Sequence, residues 1–161
     1  MKKSTKKLYV AYGSNLHLAQ MRYRCPDAKI YGAGVLKNYE LTFFGNVHRN
    51  GVATVLPNPG TDVPVGVWEI SKADEKNLDL YEGWPHLYRK EDIEVTMSDG
   101  SIVTGMVYIM NERGMRPVLP SDYYFNVIAS GYNSFGFDLD ILKAARAKIY
   151  DNDYSFRKII E

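Results

Sequence analysis

The sequence predicts an α+β fold with a mixed or mostly antiparallel sheet. Two observations carry this. Strand-like segments follow one another in runs instead of alternating with helices, which disfavours a doubly wound parallel sheet. Helical periodicity is confined to a few stretches, while Ser98-Asp99-Gly100-Ser101 between two apolar runs is a hairpin signal. At 161 residues the chain suits one domain, 1–161, with residues 1–6 as a basic tail.

The elements follow in order. Leu8 to Tyr12 is rich in strand formers. Gly13 then permits a sharp turn, and Ser14 or Asn15 can cap a short helix over Leu16 to Arg24, stopped by Pro26. Lys29 to Val35 and Tyr39 to Phe44 read as strands, followed by a loop containing Gly45, Asn46 and Asn50-Gly51. Val52 to Leu56 is a short strand ended by Pro57, Pro59 and Gly60; Val63 to Ile70 is the next, with Pro64 near its start. The period then changes. Ser71 with Asp74 and Glu75 predicts a capped helix that carries Leu78 and Tyr81 on one face and ends near Glu82, before Gly83 and Pro85. Ile93 to Met97 and Ile102 to Ile109 form the hairpin. Ser121 caps a helix with Tyr124, Val127, Ile128 and Gly131 on one face, and Leu142, Ala145 and Ile149 mark the inner face of the last helix. Periodicity alone leads no further than α+β; a barrel is one way to curl such a sheet.

Composition narrows the function classes. A formal net charge of +1 gives no argument for a nucleic-acid partner, and the lysines of Met1 to Lys7 read as a solvated tail. No apolar run approaches a membrane span or a signal h-region. Cys25 is the sole cysteine, so neither an internal disulfide nor a cysteine-based metal cluster is available, and His17, His48 and His86 lack metal-ligand spacing. The expectation is a soluble cytoplasmic protein without a metal. Thirteen tyrosines suggest a sheet-rich protein with a polar-lined cavity.

Two places carry chemistry. Tyr12-Gly13-Ser14-Asn15 joins a strand to a helix start, which leaves backbone N–H groups aimed at one spot, suited to an anion or oxyanion. As a lone tetrapeptide it is also ordinary turn chemistry. The second place is Glu82. A carboxylate at a helix C-terminus meets the negative end of the dipole, and Tyr81, Trp84 and Pro85 are bulky enough to desolvate it. Both effects raise its pKa toward that of a general acid/base, whereas Arg89 and Lys90 would lower it if they reached it. A solvated surface glutamate is the plain alternative. Asp79, Glu91 and Asp92 show no such conflict with their positions. A serine nucleophile lacks its Gly-x-Ser-x-Gly elbow, and no phosphate-binding glycine pattern is present.

The ordered set Tyr9-Val10-Ala11-Tyr12-Gly13-Ser14-Asn15-Leu16, Gly51 to Val55, Val65 to Ile70, Leu80-Tyr81-Glu82-Gly83, Tyr88-Arg89 and Pro120-Ser121-Asp122-Tyr123-Tyr124 resembles the gamma-glutamylcyclotransferase-like family over most of the chain. The resemblance implies a small mixed β-barrel with peripheral helices and a cavity for a γ-glutamyl group. By the same resemblance Tyr12, Gly13, Ser14, Asn15 and Leu16 bind substrate, Glu82 is the general acid/base, and Tyr124 contacts substrate, with Tyr123 as its substitute if the helix register differs. The implied reaction needs no cofactor: the substrate's α-amine attacks its own γ-carbonyl, giving 5-oxoproline and a released amine or amino acid. Two other readings use the same cavity: a binding module without turnover, and an acyl transferase or amidohydrolase using the same oxyanion site. The bulky Trp84-Pro85-His86 loop after Glu82 departs from the pattern and bears on the leaving group.

Overall fold

The computed structural model describes residues 6–160, with side chains described as far as residue 151. Five strands close a mixed barrel: β1 (Lys7–Ala11), β2 (Lys29–Asn46), β3 (Arg49–Ile70), β4 (Tyr88–Met97) and β5 (Ile102–Met110). They run in the order β3-β1-β5-β4-β2, and β2 pairs back onto β3 to close the ring. Only β1 and β5 are parallel, meeting at Tyr9 and Met106; the other neighbours are antiparallel. A short β6 (Arg116–Pro117) adds to β2. Leu36, Phe43, Val55, Val65, Val67, Val95 and Val107 are fully buried and form the centre of the core. Four helices surround the barrel: α1 (Leu18–Arg24), α2 (Lys72–Glu82), α3 (Asp122–Phe135) and α4 (Leu139–Ile160). The chain is therefore α+β with a small barrel and peripheral helices, as expected.

Several boundaries differ from the expectation. The four segments between Lys29 and Ile70 are two long strands joined by a tight turn at Val47-His48. The prolines do not end β3, because they occupy an irregularity in it. Tyr39 pairs with Pro57 and Lys37 with Asp62, so 58–61 stand opposite Asn38 alone. Asn38, at φ 65°, accepts the Gly60 N–H on its side chain, and Thr61 Oγ1 donates to the Tyr39 carbonyl. A bulge leaves backbone groups out of the ladder, and there a missing N–H costs little. Ser14 and Asn15 do not cap α1. They belong to a separate 3-10 turn, Ser14–Leu16, and His17 caps α1 by accepting the Gln20 N–H on Nδ1. Lys7 is not part of a free tail: it pairs with Ile70 in β1 and its ammonium reaches Glu75 at 3.1 Å. Residues 1–5 lie outside the described part. The hairpin's first strand starts at Tyr88, five residues before the expected Ile93.

Two helix features hold as predicted and position the site. Ser71 and Asp74 form a reciprocal capping box at the start of α2. At its other end Gly83 takes a left-handed conformation, φ 66°, and the Trp84 N–H bonds the Asp79 carbonyl, so the helix stops with Glu82 as its last residue. The 3-10 turn is seated on α3, where a Cβ on Gly131 would stand 2.5 Å from the Leu16 Cβ. Only glycine permits that approach.

Candidate active site

A cavity of about 200 Å³ opens at one end of the barrel. Its floor is the turn after β1: Gly13, Ser14 and Asn15 all line it, and all three are buried. Tyr12 also lines it, as do Glu82 from the end of α2 and Tyr124 from the first turn of α3. Segments nearly seventy residues apart thus converge. Leu16 is the exception. Its side chain is fully buried against Gly131 and Gly66 and does not line the cavity, and its N–H is spent on the Gly13 carbonyl. Its place is to anchor the turn. Tyr123 is 75% exposed, so the register of α3 gives the cavity to Tyr124.

The turn is pinned by side chains. Asn15 Nδ2 donates to the Tyr9 hydroxyl at 2.8 Å and stands 3.5 Å from Glu82 Oε1. Asn15 Oδ1 accepts from Arg24 Nη1 at 2.6 Å. Ser14 Oγ lies 3.0 Å from the Tyr81 hydroxyl. The Arg24 guanidinium stacks on the Tyr81 ring, 3.5 Å from its centre, and bonds Gln20. One arginine therefore holds both the amide that faces Glu82 and the ring preceding Glu82. Ser14 and Asn15, freed from capping, serve the site.

A ring of phenols surrounds the carboxylate. Tyr12 donates to the Tyr108 carbonyl and Tyr88 to the Ala53 carbonyl, both at 2.6 Å. Tyr124 accepts the Ala53 N–H at 3.0 Å, so its own proton remains to be given. Burial raises the pKa of Tyr9, Tyr12, Tyr88, Tyr108 and Tyr124, and the nearby Glu82 charge raises each further. All five stay neutral hydroxyls. Glu82 itself is pushed from 4.5 up to about 7 by burial, and Arg24 only partly offsets this. Arg89 and Lys90 do not pair with it. Arg89 bonds the Met110 carbonyl and Glu91, and Lys90 is held by Glu75 and Asp79. Asp79 also accepts from the Tyr108 hydroxyl at 2.6 Å, so this competing acid is fully engaged.

Sequence reasoning missed Arg24, Tyr9, Tyr81, Tyr88, Tyr108 and Arg49, which lies at the cavity rim. The abundance of tyrosine, and the place of Tyr9, Tyr81 and Tyr88 within the motif segments, were the hints for the phenols. Arg24, in the last turn of a helix, looks like an ordinary dipole partner.

Comparisons with known proteins show the family and the fold. Residues 9–126 match the model of the family described as "Gamma-glutamyl cyclotransferase, AIG2-like". The chain is 31% identical to the Homo sapiens protein named gamma-glutamylcyclotransferase over 156 residues, 92% of this chain and 81% of that one. It is 32% identical to the Bos taurus protein of the same name over 155 residues, 91% and 80% of the two chains. A solved structure titled gamma-glutamyl cyclotransferase superposes with a TM-score of 0.79 at 27% identity, covering 89% of this chain and 88% of that one. YkqA from Bacillus subtilis shares the fold at a TM-score of 0.76 and 18% identity, over 91% of this chain and 55% of that one. The chain belongs to the gamma-glutamyl cyclotransferase, AIG2-like family.

Proposed function

We propose that this protein is a γ-glutamyl cyclotransferase in which Glu82 is the general acid/base. The observation that carries the reading is geometric: Glu82, Tyr124 and the buried Gly13–Asn15 turn line one cavity walled by tyrosines, where burial pushes the Glu82 carboxyl up to about 7. A γ-glutamyl compound bound there folds so that its α-amine reaches its own γ-carbonyl, a proximity effect that needs no second reactant. The amine nitrogen bonds the carbonyl carbon, and Glu82 takes a proton from that nitrogen. The carbonyl oxygen becomes an oxyanion, held by the N–H groups at the start of the 3-10 turn, which have no acceptor within the turn. The amide C–N bond then breaks, and Glu82 gives its proton to the leaving nitrogen. The products are 5-oxoproline and a free amine or amino acid. A pKa near neutrality suits a group that must both accept and return a proton. Tyr124, whose proton is not otherwise donated, orients the substrate's polar end. We read the chain as one domain and as cytoplasmic, in keeping with Cys25 as a buried free thiol.

The test is product formation from a panel of γ-glutamyl dipeptides and γ-glutamyl amines, with wild type beside Glu82→Gln. The expected result is 5-oxoproline from wild type and its near loss in the variant. Release of glutamate instead would assign hydrolysis, and a variant with full activity on every accepted substrate would remove Glu82 from the mechanism.

A further inference from the structure

The catalytic cavity does not end at Glu82. Arg49, Tyr81 and Leu87 line it and equally line an open groove of about 770 Å³ on its outer side. The groove is too large to be the outer lip of the first space, and its chemistry differs. Leu80 is 83% exposed, Tyr81 44% and Trp84 43%, an unusual amount of apolar surface for one turn of helix and the loop after it. The Lys90 ammonium, held by Glu75 and Asp79, sits 4.2 Å from the Trp84 ring centre and favours this orientation of the ring. The charge in the groove is cationic. Asp79 faces it but is bound by Lys90 and Tyr108. Arg49, which lines both spaces, has no carboxylate partner among the described residues, and Lys76 lines the groove but not the inner cavity.

We propose that this groove is the leaving-group subsite and that it selects α-amino acids with a large apolar side chain, the side chain lying against Leu80 and Trp84 and the α-carboxylate pairing with Arg49. The assignment rests on the cyclotransferase reading, since it takes the γ-glutamyl half to be in the inner cavity. It follows from that placement: the scissile amide lies beside Glu82, so the leaving portion exits past Tyr81 and Leu87, and the first cation it meets is Arg49. An apolar wall with one unpaired guanidinium matches an apolar amino acid and is a poor match for a cationic amine.

The experiment compares γ-glutamyl-phenylalanine, γ-glutamyl-glycine and γ-glutamyl-phenethylamine, which lacks the carboxylate. Wild type is expected to prefer the first over each of the others by about tenfold in kcat/KM, the scale of a pocket contact or a charge-assisted pair. Arg49→Gln should abolish the preference over phenethylamine, acting through KM with kcat little changed. Trp84→Ala should abolish the preference over glycine and leave that over phenethylamine in place. Calorimetric binding of γ-glutamyl-phenylalanine and γ-glutamyl-phenethylamine to the Glu82→Gln protein reads the same contacts without turnover, with Arg49→Gln added to weaken only the first ligand. Turnover of all three compounds at equal efficiency, or an Arg49→Gln enzyme that still prefers γ-glutamyl-phenylalanine over γ-glutamyl-phenethylamine, overturns the subsite and leaves the reaction standing. Arg49-dependent binding without 5-oxoproline from any compound overturns the reaction and leaves the subsite standing. Loss of both overturns both.

Discussion

Glu75 and Glu82 stand seven residues apart on α2, two turns along one side of the same helix, and their surroundings are opposite. Glu75 is also drawn from water, but Lys90 at 2.8 Å and Lys7 at 3.1 Å outweigh that burial and hold its carboxyl below the ordinary carboxylate range. Glu82 is desolvated with no cation in direct contact; its closest help is Asn15 at 3.5 Å, with Arg24 behind that amide. Lys90 is the discriminating group. It points toward the start of α2, so its charge serves Glu75 and Asp79 and leaves Glu82 alone. The comparison teaches that the reactive acid is made by withholding a partner, and that the fold uses its nearest lysine to build structure one turn away.

The comparison can be broken outright at Glu82. Glu82→Gln is expected to lower kcat by roughly 10²–10⁴-fold, the usual range for a positioned acid/base, measured as 5-oxoproline release. The same substitution should make the protein more stable at pH 8. With the folded pKa raised, the stabilising state is the protonated one, fully present below pH 4.5 and lost as pH rises through about 7. A rise from 4.5 to about 7, at about 1.4 kcal/mol per pH unit, sets an upper limit of about 3–4 kcal/mol on the gain. Urea melts at pH 5 and pH 8 check it: the gain should be confined to the higher pH.

A milder perturbation sharpens the contrast. Wild-type kcat/KM should rise with pH along an acidic limb near 7, where the Glu82 base becomes ionised. Arg24→Gln removes the one charge that favours the carboxylate, so this limb should move to higher pH, and KM should rise as Asn15 and Tyr81 lose their anchor. A limb that stays in place would detach Arg24 from the titration of Glu82. The smallest effect belongs to the paired acid. Glu75→Gln should cost about 0.5–1 kcal/mol, typical of a partly exposed ion pair, and only above the pH at which Glu75 ionises; kcat should not change.

Much of this contrast was legible in the sequence, and the illegible part has a physical cause. Glu82 stood out because a carboxylate before a C-terminal glycine opposes the helix dipole, and Gly83 and the Ser71 box are local signals that the structure retains. The Tyr12–Asn15 turn was visible for the same reason. What escaped detection depends on barrel closure. Tyr88, Tyr108 and Arg24 acquire their roles only when β4, β5 and α1 are brought to the turn. Arg89 and Lys90 were natural suspects by sequence distance, but strand alternation and the hairpin register send them to other partners. The prolines at 57 and 59 suggested a strand end because local rules cannot anticipate a bulge that another strand accommodates.

The single parallel pairing, β1 beside β5, has a kinetic consequence. The β2–β3 and β4–β5 hairpins need only neighbouring chain and can form early. β1 must join β3 on one side and β5 on the other, across a separation of nearly a hundred residues, and loop closure makes such a step late. The turn that floors the cavity is the direct continuation of β1, so the binding site is absent until the last strand docks. An unreactive γ-glutamyl analogue should therefore slow unfolding and leave the folding rate untouched, because it holds contacts that the transition state has yet to make.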